Sequence, residues 1–441
     1  MRRLFLSFIL MLPAIPGIAI LTGSGSVRAE TLEESWQIAT AVNHRLQADA
    51  HRIESAKADL REARSAKHPV FSNQSAYITL SEQPHFQFDT PAIPPLGIPS
   101  LGISTPLSDQ SFAVSSTSVR LPLYTGGKIT AAIDANRYRI NAVRAEYASA
   151  FLDVKMEVTE SYFNVLRARR LSEVARNAEK SLFAHRQDVG KMFAQKMVTR
   201  NALLAAQAAW AAAAQEAGKA ENTVLVAESA FNRYLGRPLD FPVFVEEVPI
   251  PPVSGDLASL THEAMRCRKE LTGIASQSQA AAALARVSHS DRLPQVLAVG
   301  THNYLQNSSL STDTIWAAGV GVQWTFLDGG ASRAREQAAL HNAAFAAKMR
   351  DETRSLIELQ VRSNWIAERE TRSRVDVAEL GKTQSDENLR VVTRQFLEGL
   401  VNHTEVLDAQ TQQTAAWTNL ANATYDAILA TYRLKRSIGL L

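Results

Sequence analysis

Residue types that carry chemistry are present in this chain, but none of them falls into a working constellation. Ten histidines are scattered over 441 residues. His262-Glu263 begins the pattern of a zinc-binding helix, yet Arg266 stands where the second histidine would be needed. Gly319-Val320-Gly321 lacks the third glycine of a dinucleotide fingerprint, and no Gly-x-x-x-x-Gly-Lys-Ser/Thr loop occurs. Gly126-Gly127 and Gly329-Gly330 each precede a helical stretch, where exposed N–H groups can cradle a phosphate. Glycine also supplies the torsions of a sharp turn from strand to helix, which is the simpler reading of both pairs. No catalytic, cofactor-binding or metal-ligating residue is assigned, and the chain is not read as an enzyme.

The two Gly-Gly pairs matter instead as landmarks. Val119-Arg120-Leu121-Pro122-Leu123-Tyr124-Thr125 leads into Gly126-Gly127, and Val322-Gln323-Trp324-Thr325-Phe326-Leu327-Asp328 leads into Gly329-Gly330. The pairs are 203 residues apart, and the same offset carries Phe193 onto Phe396, Leu204 onto Leu407, Gln207 onto Gln410 and Gly236 onto Gly439. A register held without gaps over that length indicates a tandem duplication. Residues 1–29 form a leader, 30–238 the first copy, 239–256 a Pro-rich connector and 257–441 the second copy. Each copy reads as a helix, a strand pair and a helical hairpin.

The leader has the grammar of a secretory signal. Arg2 and Arg3 precede an apolar run, and Val27-Arg28-Ala29 offers a cleavage site before Glu30. It holds three arginines and no acid, so the +3 formal charge of the whole chain vanishes on its removal. A neutral mature chain gives no general reason to bind nucleic acid. Cys267 is the only cysteine, which excludes an intrachain disulfide. No later stretch reaches the roughly 18 apolar residues of a spanning helix.

Residues 31–67 and 257–291 predict one helix each, ahead of strands at 70–82 and 294–305. Residues 84–110 are rich in proline and predict an exposed loop. Strands at 112–125 and 314–327 then lead into the glycine joints. Residues 128–189 contain neither Gly nor Pro, and as helix would extend about 93 Å. Val154, Val158, Tyr162 and Val165 form an apolar stripe, repeated 203 residues on by Ile357, Val361 and Trp365. A break at 190–199 and a turn at Gly399 return the chain as helices at 200–235 and 403–436.

Trp316, Ala318, Val320, Val322, Trp324 and Phe326 alternate with Gly319, Gly321, Gln323 and Thr325. The repeat places Val119, Leu121 and Leu123 on the matching face. Such alternation suits a β-barrel wall with lipid outside and water inside, and equally a half-buried soluble sheet. Membrane barrels start at about eight strands, because an open edge in hydrocarbon strands its backbone groups. Four strands from one chain therefore need sister chains, and three copies give twelve.

The joints, Gly399-Leu400-Val401 with Val406-Leu407-Asp408-Ala409-Gln410, and the ending Ala421-Asn422-Ala423-Thr424-Tyr425 through Arg436-Ser437-Ile438-Gly439 resemble the TolC family of bacterial outer membrane efflux proteins. The resemblance covers the whole mature chain. It implies a mainly α fold with a membrane β-barrel portion, in which long antiparallel helical hairpins form a trimeric α-barrel in the periplasm. Four strands per chain would contribute to a twelve-stranded barrel in outer membrane lipid. It implies a passive conduit, without cofactor, docked at its tips to a periplasmic membrane-fusion adaptor and a proton- or ATP-driven inner-membrane pump.

The tip turns would be Lys196-Met197-Val198 and Gly399-Leu400-Val401. Two aspartates that ring the family's entrance fall here on Glu405 and Asp408. The protein that gives the family its name closes its gate with an aspartate, an arginine and a tyrosine. Those positions fall on Ala202, Val401 and Phe396, so its polar gate is not expected here. Two readings compete with small-molecule efflux: the outer membrane component of type I protein secretion, and a periplasmic coiled-coil scaffold without a pore.

Overall fold

The computed structural model describes residues 29–91, 94–96, 99–308 and 311–441. The expected leader lies outside these residues except for Ala29. Among the described residues, eight α-helices and six strands follow in an order that repeats itself apart from β2 and β3. The first copy runs α1 (Leu32–Val42), α2 (His44–Ser65), β1 (Val70–Thr79), β2 (His85–Thr90), β3 (Leu101–Pro106), β4 (Ser111–Tyr124), α3 (Lys128–Ala194) and α4 (Arg200–Tyr234). The second runs α5 (Leu257–Cys267), α6 (Lys269–Ser290), β5 (Gln295–Leu305), β6 (Thr314–Gln323), α7 (Ala331–Leu397) and α8 (His403–Ile438). No helix among the described residues is long and apolar enough to cross a membrane.

Helices α3 and α7 each hold 67 residues, about 100 Å at 1.5 Å per residue. Each folds back on its partner, α3 on α4 and α7 on α8, and α8 also packs along α3. Helix α3 continues through Gly190 to Ala194, past the break expected there, because one glycine costs a helix only about 1 kcal/mol. The four-stranded sheet has the order β1-β4-β5-β6, antiparallel throughout, and both of its outer strands are unpaired on one side among the described residues.

Three expectations need correction. The Pro-rich stretch at 84–110 is not merely a loop, because β2 and β3 pair within it as a second small sheet. Phe86, Phe88, Leu101 and Ile103 supply the β-forming side chains that the prolines obscured. The helices expected at 31–67 and 257–291 are each split in two. Asn43 breaks the first with φ −64° and ψ 118°, and its Oδ1 accepts from the N–H groups of Arg45 and Leu46 to cap α2. Arg268 breaks the second at nearly the same angles, φ −65° and ψ 116°.

These breaks form part of a joint that is built twice. Helix α4 ends at Gly236, where an added Cβ would lie 3.0 Å from Val42 Cγ2. Helix α8 ends at Gly439, where it would lie 3.3 Å from the Cys267 backbone. Each short bent helix thus receives the end of a long one. The largest core surrounds the first joint, with Val154, Val158, Tyr162, Phe163 and Phe231 fully buried. Ile357 and Val361 occupy the equivalent place in the second.

The connector is drawn into this core rather than left free. Val243 and Val245 are buried, and Glu30 bridges to Val245 in parallel. Arg237 holds the Glu30 carboxylate in a fork at 2.9 and 3.0 Å. The Tyr162 hydroxyl donates to the Glu246 carbonyl at 2.7 Å and accepts from its N–H at 2.9 Å.

Candidate channel wall and entrance

The sheet sorts its side chains by parity, so cross-strand rows define its two faces. One face carries the rows Phe71–Val119–Gly300–Ala318, Leu121–Ala298–Val320 and Tyr124–Val296–Val322. The other carries Val70–Arg120–Val299–Gly319 and Ser72–Ser118–Thr301–Ala317. On the first face Trp316, Val320 and Val322 are at least 66% exposed, and Phe71 reaches 71%. Apolar side chains left open to this degree call for a covering medium. Val119 and Leu121 lie on this face as expected.

Leu123 does not keep the alternation. The register shifts between Pro122 and Tyr124, so Leu123 sits in a β-bulge and Tyr124 takes its place opposite Val296. Strand β6 ends at Gln323, leaving Trp324 and Phe326 beyond the ladder. They pack edge to face at 6.0 Å, and Trp324 Nε1 donates to the Arg292 carbonyl at 3.1 Å. Toward the opposite end the first face turns polar on β1 and β4. Asn73 Nδ2 there donates to Ser115 Oγ at 3.0 Å and Thr117 Oγ1 at 2.8 Å. These groups satisfy one another, which is the condition for polar side chains in a poorly hydrated place.

The glycine joints are near copies. Gly126 and Gly127 have φ of 59° and 84°, and Gly329 and Gly330 have 65° and 89°. Only glycine enters that left-handed region freely, which explains why both copies use it between strand and helix. Asp328 itself occupies the start of α7, accepting from the N–H groups of Gly330 at 3.2 Å and Ser332 at 2.8 Å.

At the far end of the helices, Met192, Phe193, Lys196 and Met197 make a closing turn. The Lys196 N–H donates to the Phe193 carbonyl, and the Met197 N–H to that of Met192, both at 2.9 Å. The second copy repeats it with Gly399 to Phe396 at 3.0 Å and Leu400 to Gln395 at 2.9 Å. Val189, Ala202, Ala206, Phe396 and Val406 form a buried apolar cluster against Val198 and Val401. The three positions onto which the namesake's polar gate falls, Ala202, Phe396 and Val401, all belong to this apolar cluster.

Glu405 and Asp408 stand three residues apart on the opposite, exposed face of α8, just past its N-cap Asn402. Neither makes an ion pair among the described residues. Met197 and Leu400 are exposed at the turns themselves.

A model of the outer membrane efflux protein family matches residues 36–237 and 260–440. The chain belongs to that family. The fold is also found in solved structures. VceC of Vibrio cholerae is 16% identical with a TM-score of 0.75, covering 92% of this chain and 96% of its own. The outer-membrane channel OprN is 17% identical with a TM-score of 0.76, over 92% and 89%. The CmeC channel of Campylobacter jejuni gives 16% and 0.75, over 92% and 85%. No curated protein sequence matches this chain.

As an outer membrane efflux protein, the chain is placed in the outer membrane with its helices extending into the periplasm. The two matched segments of the family model fall one in each copy of the duplication.

One site escaped the sequence. Around the break at Arg268, its Nε donates to Glu270 at 3.0 Å, and its NH1 to Gln360 and the Ser437 carbonyl, both at 3.0 Å. Arg436 reaches Asp153 at 2.6 Å and Glu270 at 2.9 Å. Burial alone would raise the Glu270 carboxyl. Hydrogen bonds from Ser149 and Arg436, with the charge of Arg268, outweigh it and hold the pKa at about 2. Four helices, α3, α6, α7 and α8, meet in this network. Its members are far apart in sequence and look like ordinary helix-surface charges, so no local signal marks them.

Proposed function

We propose that this efflux-family chain is the outer membrane component of a tripartite export system, working as a passive homotrimeric conduit for small molecules. The observation that carries the reading is the sheet with unpaired β1 and β6 edges and one apolar exposed face. Free edges cannot persist in hydrocarbon, and three copies joined edge to edge would close a twelve-stranded ring. The hairpins α3–α4 and α7–α8 from three copies would continue that ring as a tube.

In this reading Val119, Leu121, Trp316, Val320 and Val322 face lipid, with Trp324 and Phe326 at the inner interface, where aromatic side chains collect. Glu405 and Asp408 ring the entrance in threefold copies and favour cations there. The apolar cluster around Phe396 holds the tips together in place of a polar gate. The tip turns at Lys196–Val198 and Gly399–Val401 meet a periplasmic adaptor, and an inner-membrane pump supplies the energy. No residue is given a catalytic, cofactor or metal role.

Planar bilayers test the conduit. Purified protein is expected to give discrete single-channel steps, and Glu405→Gln with Asp408→Asn to lower cation preference. Protein that assembles in the membrane but conducts nothing would contradict the reading. Release from membranes by carbonate would favour a periplasmic scaffold. Pumping of a polypeptide, with no small molecule exported, would favour protein secretion.

A further inference from the structure

The four strands of the sheet carry one arginine and no carboxylate. That residue is Arg120, exposed in β4 and without an ion pair or side-chain hydrogen bond among the described residues. Its row is Val70–Arg120–Val299–Gly319, on the face opposite Val119, Leu121 and Val320. Val70 and Val299 flank it in that row, and the rows of Ser72–Ser118 and Ser116–Asn303 on the same face carry hydroxyls and amides. Ser72 and Ser118 touch at 2.8 Å, and Ser116 Oγ donates to Asn303 at 2.7 Å. Gly319 leaves the far end of the row bare.

Two facts follow about the charge. Arginine carries its charge on a planar guanidinium with five hydrogen-bond donors. A sister chain pairing edge to edge brings only more of the same strands, which hold no acid to neutralise it. An arginine on the lipid side of a barrel is costly, whereas on the lumen side it tunes selectivity.

We infer that Arg120 forms a ring of guanidinium groups on the inner wall of the barrel and binds multivalent anions of the polyphosphate class. The inference rests on the trimeric conduit proposed above. A twelve-stranded wall has a radius of about 13 Å from strand spacing and tilt, and an arginine reaches about 6 Å inward. Three such groups then stand on the order of one Debye length apart at physiological salt. Their fields overlap, so an anion with several charges engages all three, while a monovalent anion gains little. Guanidinium forks also match phosphate oxygens in pairs. The ring has the opposite sign to Glu405 and Asp408, which lie at the other end of the helices.

The probe is inositol hexakisphosphate added to the extracellular side of single channels, so that it meets the barrel before the acidic entrance. Wild-type current is expected to be blocked in 0.1 M salt and about tenfold less sensitive in 1 M salt, where the Debye length falls to about 3 Å. Arg120→Ser and Arg120→Gln are expected to conduct but to need at least about tenfold more probe. Arg120→Lys retains block, because the charge remains. Equal block of the wild type and both neutral variants overturns the ring, as does absence of block in the wild type. Wild-type protein without any conductance contradicts the conduit instead, and the ring falls with it.

Discussion

Lys196 and Gly399, 203 residues apart, hold the same left-handed turn, with φ of 61° and 76°. Both N–H groups close on a phenylalanine carbonyl three residues back, Phe193 and Phe396. Lys196 is the only non-glycine residue with positive φ among the described residues. The second copy thus has the unstrained residue for this turn, and the first copy bears a cost of about 1 kcal/mol. Lys196→Gly is expected to stabilise the first tip by about that amount, offset in part by the greater freedom of the unfolded chain. Gly399→Ala should destabilise the second by about 1–2 kcal/mol. Limited proteolysis at each turn reads both, and equal effects at the two turns would contradict the assignment.

The buried network ties stability to acid. Glu270 has a folded pKa of about 2 against an ordinary value of 4.5, so its contribution is complete above about pH 4.5 and lost as pH falls toward 2. A shift of that size corresponds to at most about 3 kcal/mol. Glu270→Gln should therefore weaken the protein at pH 7 by up to about 3 kcal/mol and flatten its acid sensitivity between pH 4.5 and 2. Thermal unfolding across that range provides the measurement. A variant as acid-sensitive as the parent would assign the effect to other carboxylates.

A titratable side chain packs against the apolar cluster at the tip. His185 packs on Phe396 with ring centroids 5.2 Å apart, and its Nε2 is buried without a partner. Burial, followed by the neighbouring His403, pushes its pKa down, while Asp188 opposes them. A histidine kept neutral in this way stabilises fully above about pH 6.5, and the benefit declines as pH falls toward the lowered value. Acidification from pH 7 to 5 should loosen the tips and raise channel conductance. His185→Leu keeps the packing and should remove the pH response. A leucine variant with the parent's pH profile would locate the switch elsewhere.

The sheet faces make a prediction about neighbouring positions. Val320→Arg places a charge on the apolar face and should cost about 2–4 kcal/mol if it lies near the bilayer midplane. Ala317→Arg, three residues away on the other face, should be nearly neutral. Trp324→Arg should also impair membrane assembly, by less if it lies at the interface. Trimer yield after membrane extraction distinguishes these cases, and equal yields from Val320→Arg and Ala317→Arg would contradict the sorting of the faces.

The duplicated plan was legible because it rests on local chemistry repeated at one offset. Glycine pairs mark turns that only glycine enters freely, and the stripe of Val154, Val158 and Tyr162 recurs as Ile357, Val361 and Trp365. The breaks at Asn43 and Arg268 were not legible, since neither residue forbids helix. Their cause is tertiary, the seating of Gly236 and Gly439 at the ends of the long helices. The β2–β3 hairpin was hidden because prolines at its margins outweighed a short β-forming pattern. Leu123 followed parity until the bulge displaced it. Glu405 and Asp408 are singled out by family resemblance alone, and the single chain adds only their exposure on one face of α8.

A closed barrel requires several chains to complete one sheet, and copy number measures this most directly. Native mass spectrometry of the detergent-extracted protein should give three chains per particle, with no stable single-chain species. A monodisperse monomer that remains folded and membrane-bound would contradict it.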